Sequence, residues 1–162
     1  MHCQEPEKIV YSFMQGCIDK HDYKHEGEHI MGKIGIVLIS HSEKIADGLK
    51  ELVNQMNDGS VPVIAAGGAA EGRIGTDATK IMAAVEELED MEHILIYCDL
   101  GSAIMSAETA LDLVDEDLAD KCQLVDCPLV EGALAGVVQA TITDDVDEVV
   151  KASMGSRTAS KL

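Results

Sequence analysis

Two short stretches hold residue types that can do chemistry together: Ser40-His41-Ser42-Glu43 and Asp99-Leu100-Gly101-Ser102. Ser40 and Glu43 have the spacing of a capping box, and Ser42 is an alternative N-cap, so His41 is expected at the start of a helix. Free backbone N–H groups and the positive end of the helix dipole gather there. They disfavour an imidazolium and favour an anion, including a phosphate carried by the ring. An imidazole, with an ordinary pKa of about 6.5, is available as a neutral nucleophile near neutral pH. If Asp99 is brought alongside, it can accept a hydrogen bond from Nδ1–H of His41, fix the tautomer and aim Nε2 at an incoming phosphorus. Aspartate orients histidine in the same way in hydrolase triads. Gly101 and Ser102 can add backbone N–H groups and a hydroxyl for phosphoryl oxygens, and Ser42 is a further phosphate-binding candidate beside the histidine. Phosphoryl transfer needs little more than in-line positioning and charge stabilisation. The same residues also have plain readings: a surface histidine, three serine caps and a turn aspartate.

The elements that must position these stretches read as an alternation. Ile34 to Ile39 is a short β-branched apolar run, as a buried strand should be. Glu43 to Met56 has helical spacing, with Ile45, Ala46, Leu49, Leu52, Val53 and Met56 on its apolar positions. Asn57-Asp58-Gly59-Ser60 is a turn. Val61 to Ala66 is a second strand, with Pro62 suited to its first residues or to a sheet edge. A glycine-rich loop runs from Gly67 to Gly75, and Thr76 is read as the cap of a second helix with Ile81, Met82, Val85 and Leu88 inward. The pattern then predicts a strand over His93 to Cys98, a helix over Ala103 to Val114, a strand over Cys122 to Asp126 and a helix from about Val130 to Thr141. A last helix starts at Asp144 or Asp145 and reaches Lys151, and residues 153–162 read as a flexible tail. This alternation builds an α/β, doubly wound, mostly parallel sheet with helices on both faces. In such sheets ligands sit beyond the carboxyl ends of the strands at the switch point. Neighbouring strand tips lie about 5 Å apart there, which is close enough for His41 to meet Asp99.

The chain of 162 residues suits one such domain, assigned to residues 31–152. Residues 1–30 differ: they hold four of the six histidines without a clean period, and Met31-Gly32 offers a second start. They are read as an extension of unknown role, with a helix around Ile9 to Ile18 as one option. The formal charge of −18 argues against nucleic acid and against an anionic membrane surface. It favours a partner with a basic patch. No apolar run reaches a membrane-spanning length, and the start lacks a secretion signal, so a cytoplasmic protein is expected. The five cysteines, Cys3, Cys17, Cys98, Cys122 and Cys127, show no CxxC pair, so neither a disulfide framework nor a zinc site is expected. Cys98, Cys122 and Cys127 are expected as buried thiols. The Gly67 to Gly75 loop fits neither the GxGxxG nor the GxxxxGK[ST] pattern, and no HExxH or EF-hand spacing occurs. Ser40-His41-Ser42 also stands where a receiver domain would carry its acidic pair.

Four stretches in order carry a resemblance: ISHSEKIADGLKELVNQM, IAAGG followed by IGTDATKIMAAVEEL, DLGSAIMSAETALDL and PLVEGALAG. With them, residues 33–150 resemble the phosphotransferase subunit of the bacterial dihydroxyacetone kinase, a relative of the mannose-type IIA domains of the sugar phosphotransferase system. The resemblance implies a sheet of four to five strands with a short antiparallel edge, and a homodimer. It implies that His41 is the phosphorylated residue and that Asp99 orients it. It further implies phosphocarrier HPr as donor, and as acceptor an ADP-binding dihydroxyacetone kinase subunit. ADP and Mg²⁺ would belong to that partner, with no cofactor or metal bound by this chain. Two alternatives share the fold: a mannose-type IIA component feeding a sugar transporter, and a non-enzymatic regulator that reads phosphorylation. The absence of tryptophan disfavours the transporter type, which is associated with a tryptophan- and glycine-rich loop.

Overall fold

Every residue of the first strand, β1 (Ile34–Ser40), is buried. A strand so uniformly apolar must be covered on both faces, and the structure, a computed structural model describing residues 33–162, covers it so. The expectations for residues 1–30 lie outside the described residues.

β1 pairs with β2 (Val63–Gly67) on one side and β3 (His93–Cys98) on the other, and β3 pairs with β4 (Cys122–Leu124). The order is β2-β1-β3-β4 and every pairing is parallel. The doubly wound reading therefore holds with four strands. The short antiparallel edge does not form among the described residues. Beyond β4 the chain runs into a helix that opens at Leu129 instead of returning along the sheet.

Among the described residues six helices accompany the sheet: α1 (Glu43–Asn54), α2 (Ala78–Glu86), α3 (Gly101–Leu111), α4 (Glu116–Ala119), α5 (Leu129–Ala140) and α6 (Val146–Gly155). Successive strand residues point to opposite faces, which divides the core. Ile36, Leu38, Leu95 and Tyr97 pack with Leu49 and Val53 of α1, Ala133 and Val137 of α5 and Val149 of α6. Val37, Ile39, Ile94 and Ile96 pack with Ile81 and Val85 of α2 and Ala103 and Ala107 of α3. Full burial of such aliphatic side chains stabilises the fold by about 1.5–3 kcal/mol each. The small residues of α3 and α5 let both helices lie close to the sheet. At Gly136 of α5 the fit against the sheet is tight, because a Cβ there would collide with the Tyr97 hydroxyl.

Several local expectations are revised. Asp77, not Thr76, caps α2, its carboxylate accepting the Thr79 N–H at 2.9 Å. Thr76 instead bonds Ser106 of α3 at 2.6 Å. Ile45 and Leu52 lie exposed on α1, because only Ala46, Leu49 and Val53 reach the sheet. Helix α3 starts at Gly101, two residues early, and α4 is a single turn, too short for periodicity to reveal. The tail expected from Ser153 begins later. Helix α6 continues to Gly155 because Ser153 is fully buried and bonds the Tyr97 hydroxyl at 2.8 Å.

Ile30–Arg157 forms one unit by its internal contacts, and the described residues 158–162, which belong to the other, carry no helix or strand. Cys98, Cys122 and Cys127 are free and half-buried rather than fully buried. Burial pushes the Cys98 thiol up to about 12 and those of Cys122 and Cys127 to about 11, so none is a thiolate near neutral pH. No helix among the described residues is long and apolar enough to cross a membrane.

Candidate functional site

The chain leaves β1 toward β2 on one side and later returns to β3 on the other, so the switch point lies between β1 and β3. Ile39 of β1 stands opposite Cys98 of β3. The residues that follow, Ser40-His41 and Asp99, therefore emerge at the same level of the carboxyl edge. The Asp99 N–H donates to the Ile39 carbonyl at 3.2 Å, holding the two strand ends together.

The Asp99 carboxylate collects four donors. Oδ2 accepts the Ser40 hydroxyl and the His41 backbone N–H, each at 2.9 Å. Oδ1 accepts Nδ1–H of His41 at 2.9 Å and the Leu100 N–H at 2.7 Å. Burial pushes the Asp99 carboxyl up, but these hydrogen bonds outweigh it and hold the group below its ordinary value of 3.8. An ionised carboxylate only accepts, so Nδ1 carries a proton, and in the neutral ring Nε2 carries the lone pair. Ser102 Oγ lies 2.7 Å from Nε2 and is its donor. The His41 side chain is 21% exposed, so the ring is partly open to an arriving group.

The loop backbones are tied to this pair. Gly68 N–H donates to the Ser40 carbonyl at 3.0 Å and Gly75 N–H to the His41 carbonyl at 2.9 Å. The glycine-rich loop thus frames His41. Gly67 is required by packing: a Cβ there would lie 2.7 Å from Glu43 Cα and 2.8 Å from the Ser42 carbonyl. Both are backbone atoms of the turn that carries His41. Gly67→Ala is expected to lower stability by about 1–3 kcal/mol and to broaden or shift the His41 ring resonances. Thermal unfolding with NMR of the ring checks this, and an unchanged melting temperature would show that the turn yields freely.

The structure brings His41, Asp99 and Ser102 together, with Gly101 opening α3 beside them. A Cβ at Gly101 meets nothing within 4 Å, so no packing constraint demands glycine there. Ser42 is the N-cap residue of α1 by position, but its hydroxyl makes no cap bond. The capping box does not form, because the Ser40 hydroxyl turns to Asp99 instead. Ser40 and the Thr76–Ser106 pair, whose Ser106 hydroxyl also donates to the Ser102 carbonyl at 3.3 Å, are site neighbours that sequence reasoning missed. The one signal for Ser40 was a polar residue closing an apolar strand. Among the described residues no group of three or more His, Cys, Asp or Glu side chains is placed to hold a metal ion.

Residues 35–150, which include the whole of this arrangement, match the family model EIIA-man, described as PTS system fructose IIA component. The chain belongs to the EIIA-man family. The PEP-dependent dihydroxyacetone kinase 2, phosphoryl donor subunit DhaM, of Listeria innocua serovar 6a is 44% identical over 118 residues, covering 73% of this chain and 94% of that protein. The corresponding DhaM subunit of Providencia stuartii is 49% identical over 120 residues, 72% of this chain. This EIIA-man chain spans only 25% of that longer relative. Among solved structures, the crystal structure of the unknown function protein EF1359 matches with a TM-score of 0.71 and 38% identity, covering 80% of this chain and 97% of that one.

Proposed function

We propose that this EIIA-man protein is the phosphoryl-donor subunit of a phosphotransferase-dependent dihydroxyacetone kinase. It takes a phosphoryl group from HPr onto Nε2 of His41 and passes it to ADP held by the kinase subunit. The observation that carries this reading is the ring of His41 at the switch point, fixed through Nδ1–H on Asp99 at 2.9 Å with Nε2 against the Ser102 hydroxyl at 2.7 Å. The names of the similar DhaM subunits agree with it.

In the first transfer the Nε2 lone pair forms an N–P bond with the phosphorus carried by HPr. The donor's N–P bond breaks in line, and its electron pair returns to the donor ring. The Ser102 hydroxyl, which caps Nε2 in the resting state, turns to donate to a phosphoryl oxygen, and the N–H groups of Gly101 and Ser102 at the start of α3 face the same charge. Ser42 is a further candidate to donate to the phosphoryl oxygens. In the second transfer a β-phosphate oxygen of ADP attacks, and the pair of the breaking N–P bond returns to Nε2. Asp99 stabilises the positive charge that the ring carries while phosphorylated. No proton changes hands between the partners, and this chain needs no metal or cofactor of its own. Mg²⁺ belongs with the nucleotide on the partner.

Exposed Leu100 and Met105, beside Asp99 and one turn beyond Ser102, together with exposed Ile74, give protein partners an apolar rim to seat on. The charge of −18 steers partners that carry basic patches. The working protein is read as a cytoplasmic homodimer.

Mixing the phosphorylated chain with an ADP-loaded kinase subunit tests the acceptor. Label should leave His41 as ATP appears. Retention of label with that subunit present would reject the kinase reading and point to a sugar-transport component or to a regulator.

A further inference from the structure

Ser40 closes an otherwise apolar strand and is fully buried. A hydroxyl at such a place costs free energy unless its hydrogen bonds are made. An alanine would end the same strand with nothing to satisfy. The Ser40 hydroxyl makes two bonds: it donates to Asp99 Oδ2 at 2.9 Å and accepts the Ser42 N–H at 3.1 Å. A carboxylate offers about four lone-pair sites, and Ser40, His41 N–H, the His41 ring and Leu100 N–H fill that number. Oδ2 is pinned from β1, and Oδ1 is thereby turned to the ring. Removing the hydroxyl leaves Oδ2 with one donor and loosens the hold on the carboxylate's rotation.

We propose that Ser40 is a positioning residue for phosphoryl transfer, locking the Asp99 carboxylate in the rotamer that holds the His41 ring with Nε2 toward Ser102. The role rests on the relay reading above and acts wholly through Asp99, because Ser40 is shielded from any incoming group. The titratable groups that face Asp99 are the His41 ring from the loop after β1 and the half-buried Cys98 thiol on β3. The thiol stays protonated near neutral pH and below.

Two measurements on the full chain test this. The ¹³C titration of the Asp99 carboxyl in unphosphorylated protein reads the contact directly. Loss of one donor should move it roughly half to one pH unit upward in Ser40→Ala. The rate of uptake from phosphorylated HPr should fall roughly three- to tenfold in the same variant. Ser40→Thr, which keeps the hydroxyl, should restore both. An unmoved Asp99 titration in Ser40→Ala overturns the proposal, whether or not the rate falls. So does a rate equal to the wild type. If the extra methyl of threonine prevents folding, the Ser40→Ala titration decides alone. Absence of uptake by the wild type would instead sink the relay reading, while the titration would still report on the Ser40–Asp99 contact.

Discussion

His41→Ala is expected to leave no acid-labile, base-stable phosphoryl adduct after incubation with phosphorylated HPr. The loss should be at least about four orders of magnitude in transfer rate, the scale seen when a nucleophile is removed from a constellation that acts as a unit. No neighbour can substitute. His93 begins β3 and so lies at the opposite edge of the sheet. The Ser102 hydroxyl loses the imidazole beside it, and a serine without such a base is a weak nucleophile. The fold should survive. The ring is partly exposed and among the described residues bonds Asp99 and Ser102, so thermal stability should change by about 1 kcal/mol or less. Quantified label on the variant, read with its melting curve, checks both points. Label at the wild-type level would remove His41 from the mechanism.

Asp99→Ala should have the second largest effect. It strips the acceptor from four donors at once and frees the ring to rotate or to carry its proton on Nε2, where no attack is possible. Transfer should slow on the order of a hundredfold or more, with the domain still folded. The pH dependence has a definite sign. The Asp99 carboxyl is held below its ordinary 3.8 in the folded chain, so its stabilising contribution is complete above that range and is lost as pH falls through the depressed folded value. The melting-temperature gap between wild type and Asp99→Ala should therefore be largest near neutral pH and close in acid. A variant that transfers at the wild-type rate would reduce Asp99 to a turn residue.

Much of the architecture was legible because its signals are local. β-branched runs of six or seven residues, separated by stretches of helical period, mark β1, β2, β3 and the helices between them, and strand–helix alternation restricts the sheet to very few topologies. His41 and Asp99 could be nominated for the same reason, as polar residues standing just past apolar strands. The parts that failed are those in which neighbours in space compete with neighbours in the chain. Ser40 and Glu43 have capping-box spacing, yet a carboxylate 59 residues away takes the hydroxyl. Thr76 is a good cap, but Asp77 caps α2 and Thr76 turns to Ser106, 30 residues on. Ser153 reads as a frayed end until Tyr97, from a strand 56 residues earlier, meets it inside the core.

The sequence alone therefore determined the order of elements, the carboxyl edge on which chemistry must lie, and which two side chains to watch. Only the tertiary structure decided how they are held: which oxygen faces which donor, which ring nitrogen carries the proton, and which serine is a strut and which a ring partner. Periodicity records how each segment divides between core and solvent, which is a property of contiguous residues. Hydrogen-bond geometry is set by the register between β1 and β3, and sheet register arises only when distant segments pack.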